Sequence, residues 1–328
     1  MSPFNTDQPV TFSNYLISTQ PELQIKQIID GLSATPRSIS SKFLYDATGS
    51  MLFNEITLLP DYYLTNLEMS LIGSFAKTNI TSIENKEIVD LGCGNEKKVC
   101  LLLNTLDVFN SVEYTPLDVS ISALNETANN LLKKYPGIHI HCIAADFLNQ
   151  LYVLPESNRK RIFCFFGSTI GNLSFQQRFQ FFKTIRKMIK PGDLLLLGVD
   201  LVKQIHVMEK AYNDALNLTA RFNRNILNVI NSQIQADFNP SAFEHVAFYN
   251  EINSRIEMHL KATYSMPVNS PYLPTQIILN ENEMIHTENS RKFTVPQIIS
   301  EIESVGLHVK AAETDDKKQY ALLQINSS

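Results

Sequence analysis

Four aspartates in this chain stand where an apolar run stops: Asp90 in EIVDL, Asp118 in YTPLD, Asp146 in IAAD and Asp200 in LLLLGVD. A carboxylate in such a place accepts hydrogen bonds from the hydroxyls or the exocyclic amine of a nucleoside, because ligands of open parallel sheets bind beyond the carboxyl ends of the strands. After the first aspartate comes the turn LGCGNEKK, in which Gly92 and Gly94 let the backbone approach a ligand with no Cβ in the way. A dinucleotide fingerprint asks for a third glycine where Lys97 stands, and a phosphate-binding P-loop asks for Gly-Lys-Ser/Thr, so both phosphate-cradling readings weaken.

These residues need strands and helices to hold them. Residues 87–91 have the length and β-branched content of a strand, and Val99, Leu102 and Leu103 fit one face of a following helix. Strand patterns recur at 112–117, 138–143, 161–167 and 194–199, separated by helical periodicity at 120–134 and 174–190, the second closed by Lys190-Pro191-Gly192. Such alternation implies a parallel sheet wound on both faces. A helix at 295–305 and two strands at 307–311 and 320–325, joined by ETDDKKQ, close the sheet as a hairpin with one antiparallel edge. Five βα units plus that hairpin make the seven-stranded pattern of S-adenosylmethionine-dependent methyltransferases, whereas a dinucleotide fold continues with a sixth parallel strand.

The expected fold class is therefore α/β, a Rossmann-like class I methyltransferase core at 67–201 and 293–328. An inserted α+β substrate-binding domain is expected from 1–66 and 202–292, with helices at 204–232, a strand-like RIEMHLKATYSM and a loop before the last helix. In that frame Asp118 takes both ribose hydroxyls of the methyl donor; the alternative is a helix cap, which Ser120 can also supply. Asp146 and Phe147 meet the adenine. Asp90 serves the donor's amino group or orients the turn, and Lys98 reaches the donor carboxylate or lies solvated on its helix.

With 328 residues, 44% hydrophobic and 19% charged, the chain has room for two domains. Its net charge of -5 and its one basic cluster, Arg159-Lys160-Arg161, read as a solvated turn, argue against a nucleic-acid partner. The opening MSPFNTDQPVTF is unlike a signal peptide, and no apolar run approaches the ~20 residues of a membrane span, so a cytoplasmic protein without a membrane partner is expected. The four cysteines, Cys93, Cys100, Cys142 and Cys164, and the seven histidines lack metal-ligand spacing; buried thiols and no metal are expected.

Six longer stretches, GSTIGNLS, DLVK, AYNDA, TARFNRNIL, AFEHVAFYN and RIEMHLKA, together with KFLYDATGS, ITLLPDYYLTNLE and TENSRKF, give the chain a resemblance to the histidine Nα-methyltransferases. That family makes trimethylhistidine, hercynine, the first intermediate of ergothioneine synthesis. The resemblance implies S-adenosyl-L-methionine as cofactor, L-histidine as a small-molecule substrate, and a monomer. It implies that Asn172 and Tyr212 hold the α-carboxylate, that Tyr62, Glu288 and Ser290 surround the imidazole with Met258 nearby, and that Tyr45 is a further active-site tyrosine. Gly167, Ser168 and Thr169 would line the reacting nitrogen with backbone oxygens. Methyl transfer needs a neutral amine aligned with the departing sulfur, and water or a tyrosine can take the proton, so positioning supplies most of the rate. Cys93 and Asn95 depart from a turn rich in Gly, Ser and Thr in the family, His259 stands where an aromatic is expected, and Asn289 and Arg291 are unusual between the matched positions. Two rivals remain: a methyltransferase for another amino acid such as tryptophan, and a non-catalytic S-adenosylmethionine-binding partner protein.

Overall fold

The structure, a computed structural model, describes residues 9–16, 21–83, 85–106 and 112–327. Residues 1–8 of the N-terminal stretch compared with a signal peptide, and residues 17–20 of the segment 1–66, lie outside the described residues. The chain divides into two compact units, one of Met1–Ile17, Leu64–Val202 and Lys292–Ser328, the other of Ser18–Tyr63 and Lys203–Arg291.

In the first unit six strands run in chain order: β1 (Val10–Asn14), β2 (Glu87–Leu91), β3 (Glu113–Asp118), β4 (His139–Ala144), β5 (Arg161–Phe165) and β6 (Leu194–Asp200). The next five, β7 (Phe243–Asn250), β8 (Arg255–Ala262), β9 (Met266–Val268), β10 (Ile277–Leu279) and β11 (Met284–Arg291), belong to the second unit, and β12 (Leu307–Thr314) and β13 (Tyr320–Ser327) return to the first. The large sheet has the order β1-β4-β3-β2-β5-β6-β13-β12. Its first six members pair in parallel, and β13 pairs antiparallel with both β6 and β12. Strand order reverses at β2, which places the topological switch point beside the Gly92–Gly94 turn.

Every residue of β2 and β6 is buried, as expected of parallel strands covered on both faces, where apolar runs are continuous rather than alternating. Val89, Leu91, Phe163, Phe165, Leu195 and Leu197 meet Phe181, Phe182 and Ile185 of the helix Phe175–Met188 in one core. That helix and Val295–Glu303 each begin with a reciprocal capping box, Ser174 with Gln177 and Thr294 with Gln297.

Two expectations need correction. The sheet has eight strands rather than seven, because β1, inside the segment assigned to substrate binding, pairs with β4 from Val10↔Ile140 to Asn14↔Ala144. Five residues with little alternation, VTFSN, leave no clear strand signal. The stretch before the last helix is also no loop: residues 284–291 form β11, antiparallel to β8, with a register shift between His286 and Glu288. The polar sequence MIHTENSR and this bulge hide the period of two.

The second unit therefore carries a three-stranded sheet, β11-β8-β7, and the pair β10-β9. The expected helical region resolves into Ile205–Lys210 and Leu218–Ile234, separated by a turn ending at Asn217 with φ 56°. Gly49 in DATGS is obligatory, since a Cβ there would fall 1.7 Å from the Leu44 carbonyl oxygen. Asp46 caps the helix Ala47–Ile56 by accepting from the Gly49 N–H (2.8 Å), and the Asn225 amide donates to the same carboxylate (2.7 Å).

Candidate active site

In the first unit the candidate residues gather at the carboxyl edge of the parallel strands. Gly92 and Gly94 have φ of 70° and 59°, and the Gly92 N–H donates to the Leu117 carbonyl at 2.7 Å. A Cβ at 92 would lie in ordinary van der Waals contact with the Phe147 ring at 3.6 Å, whereas a Cβ at 94 would meet no described atom within 4 Å. Asp118 accepts from the Gly94 N–H (3.0 Å) and the Ser120 N–H (2.9 Å). The Ser120 hydroxyl itself accepts from the Ala123 N–H, so Ser120 supplies the cap of the helix Ile121–Lys134. Burial raises the Asp118 carboxyl above its usual range, against the lowering effect of those N–H groups.

Asp146 closes its own turn, accepting from the Leu148 N–H (2.9 Å) and the Asn149 amide (2.8 Å), while Phe147 packs edge-on against Phe165. Asp90 is buried, accepts from the Tyr114 hydroxyl at 3.0 Å, and is pushed up to about 7, chiefly by desolvation; Tyr114 and Lys98 work against that shift. The remaining strand-end aspartate, Asp200, forms an ion pair with Lys292 at 2.7 Å, both side chains fully buried.

Glu68 is a site residue that sequence reasoning missed. It is 1% exposed, pairs with Lys98 at 2.7 Å, and accepts from the Gly167 N–H (2.7 and 2.9 Å) and the Tyr320 hydroxyl (2.6 Å). Any side chain at 198 would fall 2.0 Å from its oxygen, so Gly198 leaves room for this carboxylate. The available signal was a charge on the apolar stripe Leu64, Leu71, Phe75 of the helix Tyr63–Thr78. Gly167 and Ser168 both have positive φ (76° and 54°), the Ser168 hydroxyl accepts from the Asp200 N–H (2.9 Å), and Thr169 donates to the Phe166 carbonyl (2.9 Å). Asn172 ends the short turn Thr169–Asn172 in this same unit. The edge fits S-adenosylmethionine: a buried carboxylate at the end of β3, open space at Gly94, and an aromatic ring beside the turn.

The second unit brings together Tyr45, Tyr62, Tyr212, Met258, Glu288 and Ser290. Glu288 pairs in register with Met258, and Ser290 with Ile256, so these side chains share one face of the three-stranded sheet. Glu288 is 6% exposed and accepts from the Tyr45 hydroxyl at 3.5 Å. The Tyr212 hydroxyl donates to Ser290 Oγ at 2.7 Å. Tyr45 lies edge-on to Phe53 and Phe222, and Tyr62 edge-on to Phe53 and Tyr212. Phe53 and Phe222 were not expected; their helices give them no signal beyond ordinary core spacing. Faces of this kind suit a quaternary ammonium, which has no proton to donate.

The departures at 259 and 289 fall on the opposite face of β8 and β11. His259 stacks on Phe248 and meets His286 edge-on, and His286 Nε2 lies 2.9 Å from Asn289 Oδ1. Burial first, then His286, holds His259 down at about 4. Arg291 pairs in register with Arg255, away from the Glu288 face. Cys93 is buried with its thiol 3.9 Å from Asp118, and burial pushes that thiol well up.

Residues 24–327 match the model of the family described as histidine-specific methyltransferase, SAM-dependent. The chain is 36% identical over 315 residues to a histidine N-alpha-methyltransferase of Mycobacterium tuberculosis, covering 95% of this chain and 98% of that protein. The figures for the histidine N-alpha-methyltransferase of Mycolicibacterium smegmatis are the same. An ergothioneine biosynthesis protein of Neurospora crassa is 31% identical over 192 residues, 57% of this chain and 22% of that longer protein.

Proposed function

The chain belongs to the histidine-specific, S-adenosylmethionine-dependent methyltransferases, and on that premise we propose that it transfers methyl groups from S-adenosylmethionine to the α-amine of L-histidine, up to trimethylhistidine, in ergothioneine biosynthesis. The observation that carries the choice of substrate is Glu288, a buried carboxylate on a sheet face beside an aromatic wall. A carboxylate there stabilises a ligand that brings an N–H, and penalises an indole or phenyl ring that leaves the charge desolvated.

When bound, S-adenosylmethionine supplies an electrophilic methyl carbon on a sulfonium. Asp118, Asp146, Phe147, Gly92, Gly94 and Gly167 hold it, and Lys98, already paired with Glu68, adds a cation at that edge. The resemblance would give Asn172 and Tyr212 to the α-carboxylate of histidine, and Tyr62, Glu288 and Ser290 to the imidazole with Met258 beside them. Backbone oxygens of Gly167, Ser168 and Thr169 would line the space around the reacting nitrogen. The amine must arrive neutral, and a free α-amine titrates near ~8, so water or Tyr45 suffices to accept the proton. We place the protein in the cytoplasm as a monomer; among the described residues no helix is long and apolar enough to cross a membrane.

Mass spectrometry of products tests this. Mono-, di- and trimethylated histidine on the α-nitrogen are expected, with Nα-blocked histidine and histidinyl peptides inert. Methylation of an imidazole nitrogen, or preferred turnover of tryptophan, refutes the reading. A protein that binds S-adenosylhomocysteine yet consumes the donor with no amino acid is a binding partner, not this enzyme.

A further inference from the structure

We propose that His245, Asn223 and Thr287 form a one-way hydrogen-bond chain that positions the substrate half-site, setting the backbone at Tyr212 and the bulge that precedes Glu288. The inference rests on the reading of that half-site as the histidine pocket.

Three contacts fix the direction of the chain. His245 Nε2 lies 2.8 Å from the Tyr212 carbonyl oxygen, which can only accept, so Nε2 carries the proton. The Asn223 amide nitrogen donates to the His259 carbonyl (3.0 Å) and lies 2.9 Å from His245 Nδ1, which makes Nδ1 an acceptor. Asn223 Oδ1 then accepts from the Thr287 hydroxyl at 2.6 Å, a hydroxyl that also lies 3.0 Å from the Met258 carbonyl. His245 is thereby held as the neutral Nε2–H tautomer. A second proton on Nδ1 would face the Asn223 N–H, and turning that amide over would set its oxygen against the His259 carbonyl, two acceptors with no proton between them.

The chain closes on itself through the pocket. One end holds the main chain of Tyr212, whose hydroxyl donates to Ser290; the other end is Thr287, at the register shift just before Glu288. Asn223 and Thr287 are both fully buried, so neither exchanges its partner for water. Losing a link leaves a buried acceptor or donor unmet, with no water to replace the partner. Burial holds the His245 imidazole below its ordinary range, and Arg224 adds to that, opposed by the Tyr212 carbonyl and Asp214. Asp214, Arg224 and Glu244 line the cleft beside the ring.

The test uses the full chain, saturated with S-adenosylhomocysteine for the NMR and histidine titrations and free of it when S-adenosylhomocysteine itself is titrated. Nitrogen NMR of histidine-labelled protein near neutral pH should show His245 as the Nε2–H tautomer; an Nδ1–H form or an imidazolium overturns the proposal. In calorimetry His245→Leu should weaken histidine binding about 10-fold while the affinity for S-adenosylhomocysteine stays within about 2-fold. His245→Gln, whose amide can donate to Tyr212 and accept from Asn223, should recover most of the loss. Thr287→Val, which keeps shape and removes the hydroxyl, carries the same test should the leucine variant not fold. A folded His245→Leu or Thr287→Val that binds histidine like wild type removes the positioning role. Wild type that binds S-adenosylhomocysteine but not histidine overturns the histidine reading itself, and this inference with it.

Discussion

The candidate residues of the two units are set on different principles. In the first unit the site is made of backbone: a left-handed glycine turn, a loop with two positive φ angles, and N–H groups that hold Asp118 and Glu68 in place. In the second it is made of side chains from separated segments, Tyr45 and Tyr62 ahead of the core, Tyr212 from the inserted region, Glu288 and Ser290 from β11. Strand ends of a parallel sheet present the same chemistry to many nucleotide-like ligands, so that half can be reused with little change. A pocket for one amino acid needs particular groups at particular places, and an antiparallel sheet with a bulge can supply them.

If that division holds, damage in one half should leave ligand binding in the other intact. Glu288→Ala should raise the Michaelis constant for histidine by ~10- to 200-fold, from the roughly 1.5–3 kcal/mol of a charge-assisted hydrogen bond, with the S-adenosylhomocysteine affinity unchanged. Glu288→Gln should do less, because it keeps an acceptor oxygen. Steady-state kinetics on histidine and tryptophan together give the measurement, and an unchanged preference in Glu288→Ala puts the imidazole elsewhere.

The mirror experiment is Asp118→Ala, expected to weaken S-adenosylhomocysteine by about 10- to 150-fold in calorimetry. Part of that loss is the turn itself, since Gly94 and Ser120 lose their acceptor. Asp118→Asn, which can still accept from one of them, should fall between.

Asp90 offers a smaller effect with a definite sign. Its carboxyl is pushed up to about 7, neutral below and ionised above. The ammonium of S-adenosylhomocysteine favours the ionised form, so affinity should rise with pH through that range, by up to about 10-fold between pH ~6 and ~8. Asp90→Asn should flatten the curve. A curve as steep in the variant as in wild type assigns the titration to another group.

The smallest change expected is from Tyr212→Phe. It removes the hydroxyl that Ser290 receives and that is assigned with Asn172 to the α-carboxylate; with Asn172 left in place it should raise the Michaelis constant for histidine about 3- to 10-fold, worth ~1 kcal/mol, with no change in S-adenosylhomocysteine binding. A loss of S-adenosylhomocysteine affinity here would break the division between the halves.

What could be read from residues alone follows the same line. Parallel strands covered on both faces appear as uninterrupted apolar runs, so β2 to β6 and the closing hairpin were legible, as was Asp118 at its strand end. β1 was not, because an edge strand of five mixed residues carries no such signal. The polar β11 was hidden by its bulge, and Glu288 and Ser290 were reached only through the resemblance. Glu68 and Lys292 were missed for another reason: each is a buried charge whose partners, Gly167 and Tyr320 for one and Asp200 for the other, are far away in the chain. Pairing at that distance leaves no local pattern beyond, for Glu68, a charge on an apolar helix stripe.

The place of β13 in the large sheet bears on how the protein is made. β13 pairs with β6 on one side and β12 on the other. During translation the parallel strands can assemble once β6 has emerged, but one edge of β6, LLLLGVD, then stays unpaired while the ribosome delivers the Lys203–Arg291 part of the second unit. At roughly 5–20 residues per second the stretch from Asp200 to Tyr320 keeps that apolar edge open for on the order of 10 s. An open edge of this composition recruits other nascent chains, so the yield of folded protein depends on translation speed and on chaperones that shield β6 until β13 arrives.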